Sequence, residues 1–427
     1  MNRRALIPHL RWWIAALLAA ATALNYLDRQ NLPVVITEMQ KSIPISDAQY
    51  SQLQVLFLLA YGIMYAVGGR VIDLMGTRAG YALMIAWWSV ANALHGFVSG
   101  AGQLAIVRFA LGLGEGGGFP GSAKAVAEWF PPSERSFACG LFNTGSSVGA
   151  VVAPPLIAII VTWADWRWVF FLTGAAGFLW VALWLILYHP PQRHPRITAA
   201  ERSYIEAGGT GTAQNRVQWS QLIALRPVWG LCIAKFLSDS AWYFFIFWLP
   251  KYLADVRHLN IKEIGYYAWI PYAFAGAGSF VGGWLSSYLI RRGWSLDASR
   301  KLSLGLSAGL MPLALLIAAS PLALAIVFFS AAMFGHQFWS TIIQTLPADI
   351  FPSNAVGAVA GLIGAAGSFG GMLFNLLAGA VLTASHSYAS LFLMAGLLHP
   401  ASFVIVLVIV RKIHRLEFAN GIYRTPV

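Results

Sequence analysis

The sequence predicts an all-helical integral membrane protein with twelve transmembrane helices in two six-helix halves, and three observations support this fold class. Hydrophobic residues make up 58% of the 427 residues and charged residues only 10%, whereas a soluble domain carries about 25% charged residues. Apolar stretches of about 20 residues, which is the length that crosses a bilayer, recur along the chain. The two halves of the chain also match each other weakly in sequence.

Twelve apolar segments are predicted to form the membrane helices. They cover residues 12–36, 50–69, 79–97, 103–130, 136–162, 168–188, 227–253, 263–290, 300–319, 322–346, 355–384 and 387–412. Gly and Pro occur inside them, which membrane helices tolerate when neighbouring helices satisfy the freed backbone groups. The first segment is too long for the apolar core of a signal peptide, so we expect it to be retained.

The distribution of Lys and Arg in the connections predicts the orientation. Most of these residues fall on the side that holds both termini, whereas the opposite side holds few, among them Lys41, Lys251, Arg257 and Lys262. The positive-inside rule therefore places both termini in the cytoplasm. The net charge of +12 is then a consequence of orientation, and we expect the lipid bilayer and no nucleic acid as a macromolecular partner.

The longest connection divides the chain into three parts. Residues 1–188 form a predicted N-terminal bundle, 189–226 a cytoplasmic linker, and 227–427 a C-terminal bundle. Within the linker, Thr198 and Glu201 have the spacing of a capping box at the start of a short helix.

An internal repeat relates the two bundles. GGRVIDLMGTR at 68–78 is matched by GGWLSSYLIRRG at 282–293. Six further pairs share one offset: Phe130 and Phe351, Pro131 and Pro352, Gly140 and Gly361, Leu141 and Leu362, Ser147 and Ser368, Gly149 and Gly370. Two six-helix halves in the same orientation form a parallel repeat, and substrate sites lie between such halves near the membrane midplane.

These segments resemble a known family of transporters. The run at 68–78 is similar to the loop signature of the major facilitator superfamily. Segments 25–31, 108–120 and 128–150 resemble its anion:cation symporter family, and segments 235–253 and 335–351 resemble bacterial hexuronate transporters. The resemblance implies an alternating-access symporter of the bacterial inner membrane that takes up sugar acids with protons. Ser287 departs from the pattern, because an Asp is expected there, so a conformational latch in that half is expected to be weaker.

Three charged residues in predicted membrane segments are the main functional candidates. A charge near the bilayer centre costs about 2.5–3.5 kcal/mol on insertion scales, so such residues commonly handle an ion or substrate. The Arg29 guanidinium offers a fork that matches a carboxylate; its alternative role is an ion pair with an acid on another helix. Asp28 and Glu115 are proton-carrier candidates, since burial disfavours a charged carboxylate; the alternative is packing between helices. The family resemblance implies that Arg29 binds the substrate carboxylate and that Asp28 and Glu115 take part in proton coupling.

Other charged residues are predicted to be structural. Arg108 lies two turns before Glu115 on the same face and either influences it or anchors its helix. Lys124 and Glu128 have the i, i+4 spacing of an ion pair, as do Lys235 and Asp239.

Aromatic and small polar residues are the candidates for contact with a sugar ring. A pyranose presents an apolar face that stacks on aromatic rings, and hydroxyls that need hydrogen-bond partners. The aromatic candidates are Tyr26, Tyr61, Trp242, Tyr243 and Trp339. The polar candidates are Asn143, Ser146, His336, Gln337 and Ser368, of which His336 could also titrate or instead make one contact between helices.

The loop signature supplies the gating candidates Gly69, Asp73, Gly76 and Arg78. Glycines allow close helix approach, and Asp73 is suited to cap a neighbouring helix N-terminus or to pair with an Arg across the bundle.

The sequence thus predicts a proton-coupled importer of a hexuronate rather than an enzyme. The glycine-rich run at 112–118 lies in a membrane segment and not after a strand, so it is not a phosphate loop. We expect no metal or other cofactor, protons as the coupling ion, and a functional monomer. Alternative substrates are an aldonate, an aldarate or an aromatic carboxylate, and alternative functions are a proton-driven exchanger or exporter, or a sensor that binds without transport.

Overall fold

The computed structural model describes residues 6–207, 219–351, 353–419 and 422–424, and nearly all of these are helical. Residues 208–218, the central part of the predicted linker, lie outside the described residues, as does Pro352 of the repeat. The only strands in the described ranges form a short antiparallel hairpin, with β1 at Glu417–Ala419 and β2 at Ile422–Arg424.

The helices follow one another with short connections. The N-terminal half consists of α1 Leu10–Met39, α2 Asp47–Met75, α3 Thr77–Leu94, α4 Ala101–Glu115, α5 Gly118–Trp129, α6 Pro132–Trp163 and α7 Arg167–Leu187. Two short helices follow, α8 Ala199–Ala207 and α9 Trp219–Ile223. The C-terminal half consists of α10 Arg226–Asp255, α11 Ile261–Tyr267, α12 Trp269–Arg291, α13 Leu296–Leu310, α14 Leu322–Ile350, α15 Ser353–Ser385 and α16 Ala389–Ile405.

Each of the predicted membrane segments overlaps helical residues. Among the described residues, eight helices are long and apolar enough to cross a membrane by length and composition. The predicted segment 103–130 is divided into α4 and α5, because Gly116, Gly117 and Gly118 follow one another and glycine is a poor helix former. That all twelve segments cross the membrane, with both termini in the cytoplasm, stays a prediction.

Close helix contacts occupy equivalent places in the two halves. Gly149 of α6 packs on the backbone of α1, where an added Cβ would lie 2.2 Å from the carbonyl oxygen of Ala23. Gly370 of α15 packs on α10 in the same way, 2.0 Å from the carbonyl oxygen of Phe236. These two glycines were paired in the sequence repeat. Small residues of this kind let membrane helices approach closely.

The two halves meet along a cleft that is closed at one end. We call the end where α1 and α10 begin the inner end, and the opposite end the outer end. At the outer end, Lys251 of α10 forms an ion pair with Asp47 of α2 at 2.9 Å, and the Tyr50 hydroxyl donates to the carbonyl oxygen of Phe247. Toward the inner end, added Cβ atoms on Gly140 of α6 and on Gly357 and Gly361 of α15 would meet no atom within 4 Å. Gly357 lies two turns before Gly364, which packs on Tyr65 of α2, so the face of α15 that meets the other half is uncovered toward the inner end and the cleft opens there.

Candidate functional site

A buried ion pair between Arg29 and Glu115 lies in the N-terminal half. Arg29 is 1% exposed and Glu115 is fully buried. The guanidinium donates to Glu115 Oε2 from Nε at 3.0 Å and from Nη2 at 2.9 Å, and Nη2 also donates to Asn25 Oδ1 at 3.2 Å. Arg29 thus makes the ion pair with an acid on another helix that was its alternative role. Whether it also contacts a substrate stays a prediction.

Aromatic rings surround the guanidinium of Arg29. Its Cζ lies 4.7 Å from the ring centroids of both Tyr26 and Tyr61, and 5.4 Å from that of Phe57. A cation over an aromatic face is stabilised by about 0.5–2 kcal/mol, depending on desolvation. The structure brings the predicted Tyr26 and Tyr61 to Arg29. Phe57 was not predicted, since a lone Phe in an apolar segment carries no signal.

Asp28 faces the interior of the N-terminal half instead of the cleft. Its Oδ1 accepts from Asn92 Nδ2 of α3 at 2.8 Å. Asn31 donates to Thr173 Oγ1 of α7 at 2.8 Å, and Asn92 donates to the same oxygen at 2.7 Å. Asp28 thus faces another helix, since successive helical residues point about 100° apart and Arg29 faces Glu115. Asn31, Asn92 and Thr173 were missed by the sequence analysis.

A small cavity lies between the two halves. Its lining residues are Tyr26, Ser146, Ser147, Ala150, Trp242, Tyr272, Ala275 and Gln337. Four of these were candidates for contact with a sugar, and they come from four different helices. Tyr272, which was not predicted, joins the halves because its hydroxyl donates to Gln30 Oε1 at 3.2 Å.

Three other candidates in the C-terminal half, His336, Tyr243 and Trp339, do not line this cavity. His336 stacks on Trp242 with ring centroids 4.6 Å apart, and its Nδ1 lies 3.0 Å from His399 Nε2, which is the helix-to-helix contact of its alternative role. Tyr243 stacks on Phe247 at 5.8 Å. Trp339 is fully buried beside His399 in the core of this half, and the structure does not bring it to the cavity.

Two polar candidates lie on the helices that border the open end. Asn143 of α6 is exposed, and the Ser368 hydroxyl donates to the carbonyl oxygen of Gly364 within α15 at 3.2 Å. The hydroxyl of Ser146 likewise donates within its own helix, to the carbonyl oxygen of Asn143 at 2.6 Å.

The loop signature makes its contacts inside the N-terminal half. Asp73 forms an ion pair with Lys124 of α5, and it does not reach across to an Arg or a helix N-terminus among its described contacts. Arg78 donates to the carbonyl oxygen of Leu185. Gly76 joins α2 to α3 at φ +78°, a conformation that favours glycine. Gly69 faces Pro120 of α5, with an added Cβ 3.7 Å from its Cβ.

One predicted ion pair is wrong and another is confirmed. Lys124 pairs with Asp73 instead of Glu128, because α2 and α5 pack side by side and bring Asp73 to Lys124. The Glu128 carboxylate accepts from the hydroxyls of Thr77 and Tyr188. Lys235 and Asp239 do form the predicted pair.

Arg108 is fully buried and contacts residues of α2. Its Nη2 donates to Gln54 Oε1 at 2.9 Å, and its Cζ lies 4.5 Å from the ring centroid of Phe57. These contacts fit the anchoring role of Arg108.

The sequence profile of the Major Facilitator Superfamily matches residues 18–374. The chain belongs to this superfamily. It is therefore a transporter rather than an enzyme, and a multi-pass membrane protein.

Three similar proteins each cover 71–98% of the chain. The hexuronate transporter of Escherichia coli (strain K12) is 33% identical over 427 residues, covering 98% of both chains. The galacturonate transporter of Dickeya chrysanthemi is 35% identical over 71% of this chain and 90% of its own. A probable galactarate/D-glucarate transporter of Escherichia coli (strain K12) is 30% identical over 96% of each.

Solved structures of transporters share the fold. The inward-open xylose transporter of E. coli aligns with a TM-score of 0.73 at 13% identity, covering 94% of this chain and 97% of its own. A bacterial homolog of the human lysosomal transporter Spinster, in an inward-facing occupied conformation, aligns with a TM-score of 0.68 at 19% identity and 94% coverage of both.

Proposed function

We propose that this protein is a proton-coupled symporter that imports a sugar-acid anion, in the first place a hexuronate, across the bacterial inner membrane by alternating access. The observation that carries the proposal is the Arg29 guanidinium, which is buried in a membrane helix and held by the Glu115 carboxylate. A substrate carboxylate has the same chemistry as Glu115, so the two compete for one cation. The names of the relatives that span most of the chain support a sugar acid as the substrate.

The competition between substrate and Glu115 couples transport to protons. A proton that binds Glu115 removes its charge and leaves Arg29 without an anionic partner. An incoming carboxylate then restores the ion pair through the guanidinium fork, with two charge-assisted hydrogen bonds. Leaving both Arg29 and a substrate unpaired in a buried site is costly, so proton and anion move together. Asp28 is the second proton candidate, and its Asn92 contact would respond to its charge.

The rest of the substrate fits the chemistry of the surrounding residues. The rings of Tyr26, Tyr61, Trp242 and Tyr243 offer faces for the apolar side of a pyranose. The side chains of Ser146, Gln337, Asn143, Ser368 and His336 offer hydrogen bonds to hydroxyls. No cofactor is assigned in this proposal, and the energy comes from the proton gradient.

The conformation is interpreted through the predicted topology. With twelve transmembrane helices and cytoplasmic termini, the inner end faces the cytoplasm, and the open cleft is an inward-facing state. In the opposite state, the outer end opens and the contacts between α2 and α10 separate. The gating residues of the loop signature, Gly69, Asp73, Gly76 and Arg78, lie at the inner end, which closes in that state.

Transport in proteoliposomes tests the proposal. The purified protein is reconstituted, and uptake of labelled galacturonate and glucuronate is measured with and without an inward proton gradient. We expect accumulation that requires the gradient and is competed by either hexuronate. Saturable flux that no gradient drives would contradict symport, and no sugar-acid flux at all would contradict the substrate class.

A second candidate substrate is an aldarate. The probable galactarate/D-glucarate transporter that is 30% identical over 96% of both chains favours it. In that case galactarate, and not galacturonate, shows gradient-driven accumulation in the same assay, while Arg29 keeps its assigned role.

The ion pair at the outer end gives a prediction about alternating access. Lys251 is 4% exposed and pairs with Asp47 of the other half and with Asp255 of its own helix. Lys251→Met should weaken closure of the outer end, because it leaves Asp47 without its cation. In a cysteine-free background with Ser51→Cys, labelling by a membrane-impermeant maleimide should become about tenfold faster, which corresponds to about 1.4 kcal/mol.

Lys41→Met is the matched control for this measurement. Lys41 lies on the same predicted side and pairs with Glu38, but its side chain is 70% exposed, and exposed pairs contribute little. Labelling of the Ser51→Cys site should therefore be unchanged. Equal labelling rates in the Lys251→Met and Lys41→Met proteins would show that the buried pair does not hold the outer end closed.

A further inference from the structure

Another buried cation, Lys235, lies on the cleft face of α10. Lys235 is seven residues before Trp242, which lines the cavity between the halves, and Asp239 is four residues before Tyr243. These spacings place Lys235 on the same helix face as Trp242 and Asp239 on the same face as Tyr243. Lys235 and Asp239 therefore lie on the wall of the cleft, between the cavity and the inner end.

Lys235 makes polar contacts with residues of two helices. Its Nζ lies 2.8 Å from Asp239 Oδ1 and 3.4 Å from Ser340 Oγ of α14, and the side chain of Gln344 donates to the same Ser340 oxygen at 2.8 Å. Lys235 and Asp239 are each 7% exposed. Gly367 of α15 leaves room for the pair, since an added Cβ would lie 2.3 Å from Asp239 Oδ2. Residues of α10 and α14 thus contact the ammonium group, and α15 packs beside the ion pair.

Two tyrosine rings extend from Arg29 toward this site. The ring of Tyr61 lies 4.7 Å from Arg29 Cζ, and the ring of Tyr65 follows at 5.9 Å from Tyr61. Tyr65 in turn packs on Gly364 of α15, one helical turn before Gly367. Gly367 packs on Asp239, so α15 connects the ring of Tyr65 to the ion pair.

The two cations lie at different depths in the bundle. Tyr26 of α1 and Trp242 of α10 line the same cavity, and Arg29 lies three residues beyond Tyr26 whereas Lys235 lies seven residues before Trp242. At 1.5 Å per residue, the backbone positions of the two cations therefore differ in depth by about 15 Å, which is greater than the length of a hexuronate. One substrate molecule therefore contacts the two cations in turn and not together.

We propose that Lys235 is a second anion-binding residue, which receives the substrate carboxylate on the inner side after it leaves Arg29. The assignment rests on the proposed function. Asp239 holds the ammonium group when no anion is present, as Glu115 holds Arg29 in the deeper site. Ser340 and Gln344 supply hydrogen bonds to the bound anion.

Lysine suits a site that an anion occupies only briefly. An ammonium group is a compact charge on a flexible stem and lacks the planar fork with which Arg binds a carboxylate in two places. A second cation near the exit lowers the free-energy cost of moving an anion through a buried cleft. Because this site binds the anion only weakly, the anion still leaves readily. The inner side is also where release takes place in the proposed cycle.

The test compares the two sides of the membrane. Transport of labelled galacturonate is measured in right-side-out and inside-out vesicles for the wild-type and Lys235→Met proteins. We expect the KM for galacturonate on the cytoplasmic side to rise about tenfold, since one charge-assisted contact is lost, and the KM on the opposite side to stay within twofold. Lys235→Arg should restore the cytoplasmic KM.

Lys301→Met is the matched control. Lys301 forms an i, i+4 pair with Asp297 at the inner end of the same half, outside the cleft, and both KM values should be unchanged. If Lys235→Met does not fold because Asp239 is left unpaired, the Lys235→Met/Asp239→Asn protein removes both charges and should show the same one-sided change.

The possible results separate the two levels of the proposal. An equal change in both KM values that Lys235→Arg does not restore would assign Lys235 a structural role and overturn the second site. An unchanged cytoplasmic KM in the doubly substituted protein would overturn it as well, with the proposed function intact. Absence of any saturable sugar-acid transport in the wild-type protein would overturn both.

Discussion

Replacing Arg29 with alanine should abolish galacturonate accumulation and weaken galacturonate binding by about 100-fold. The guanidinium is the group assigned to the substrate carboxylate, and hydrogen bonds to charged groups contribute about 1.5–3 kcal/mol each. Two such bonds are lost, and protonation of the released Glu115 offsets part of that loss. The net loss of binding free energy is then about 2.8 kcal/mol, and each 1.4 kcal/mol is a factor of ten in affinity. Isothermal titration calorimetry on the purified protein measures the affinity directly.

Three variants separate binding from folding in the Arg29 experiment. Arg29→Ala leaves Glu115 buried without its cation, and breaking a buried pair in this way costs about 3–5 kcal/mol. The Arg29→Ala/Glu115→Gln protein removes both charges, so it should fold and still fail to bind. Arg29→Lys keeps the charge but not the fork and should bind at an intermediate level.

Arg167→Ala is the matched control on the protein surface. Arg167 pairs with Asp165 in an exposed ion pair, and such pairs contribute little to stability. Its galacturonate affinity should equal that of the wild-type protein. Binding within threefold of wild type in the Arg29→Ala/Glu115→Gln protein would remove Arg29 from the substrate site.

The charged residues of the site could be predicted from the sequence because charge in a membrane segment is costly and therefore rare. Arg29 and Glu115 stood out against apolar neighbours, and the structure brings them together although 86 residues separate them. Asn92 and Thr173 contact the Asp28 network just as directly. They could not be predicted, since uncharged polar residues are common in membrane helices and their partners depend on how the helices are rotated.

Helix rotation also explains the aromatic candidates. Trp242 and Trp339 look alike in sequence, but the structure places Trp242 on the cavity and Trp339 in the core beside His399. A predicted segment gives the length of a helix and not the face that meets the cleft. Composition could therefore narrow the sugar contacts to a set of residues but could not choose among them.

The i, i+4 rule for ion pairs was right for one pair and wrong for another, because helix packing decides which partners meet. The i, i+4 spacing correctly predicted the pair between Lys235 and Asp239, which share one continuous helix. It failed for Lys124, because the packing of α2 beside α5 places Asp73 on Lys124. An i, i+4 contact contributes only about 0.2–0.5 kcal/mol, so a neighbouring helix readily supplies a better partner.

Replacing Glu115 with glutamine should separate exchange from accumulation. Glutamine has nearly the shape of glutamate but carries no charge, so Arg29 no longer has the competing carboxylate. Counterflow of labelled galacturonate between two equal pools should persist, because the substrate itself still pairs with Arg29. Accumulation driven by an inward proton gradient should fall to the level seen without a gradient.

The pH dependence of binding gives the sign of the coupling. In the wild-type protein a proton on Glu115 frees Arg29, so galacturonate should bind more tightly as the pH falls and more weakly as it rises. The Glu115→Gln protein resembles the protonated state at every pH, so its affinity should match the low-pH affinity of the wild type and stay constant. Calorimetry across a pH series measures both curves.

Two further variants decide whether Glu115 alone carries this dependence. Glu38→Gln alters an acid of α1 that pairs with the exposed Lys41, and its pH curve should coincide with that of the wild type. Asp28→Asn should keep the pH-dependent competition at Arg29, because Asp28 faces a different side of α1, toward Asn31, Asn92 and Thr173. Full gradient-driven accumulation in the Glu115→Gln protein would exclude Glu115 as the proton carrier. A pH-independent affinity in Asp28→Asn would instead assign the coupled proton to the interior network, and the ion pair with Arg29 would then be structural.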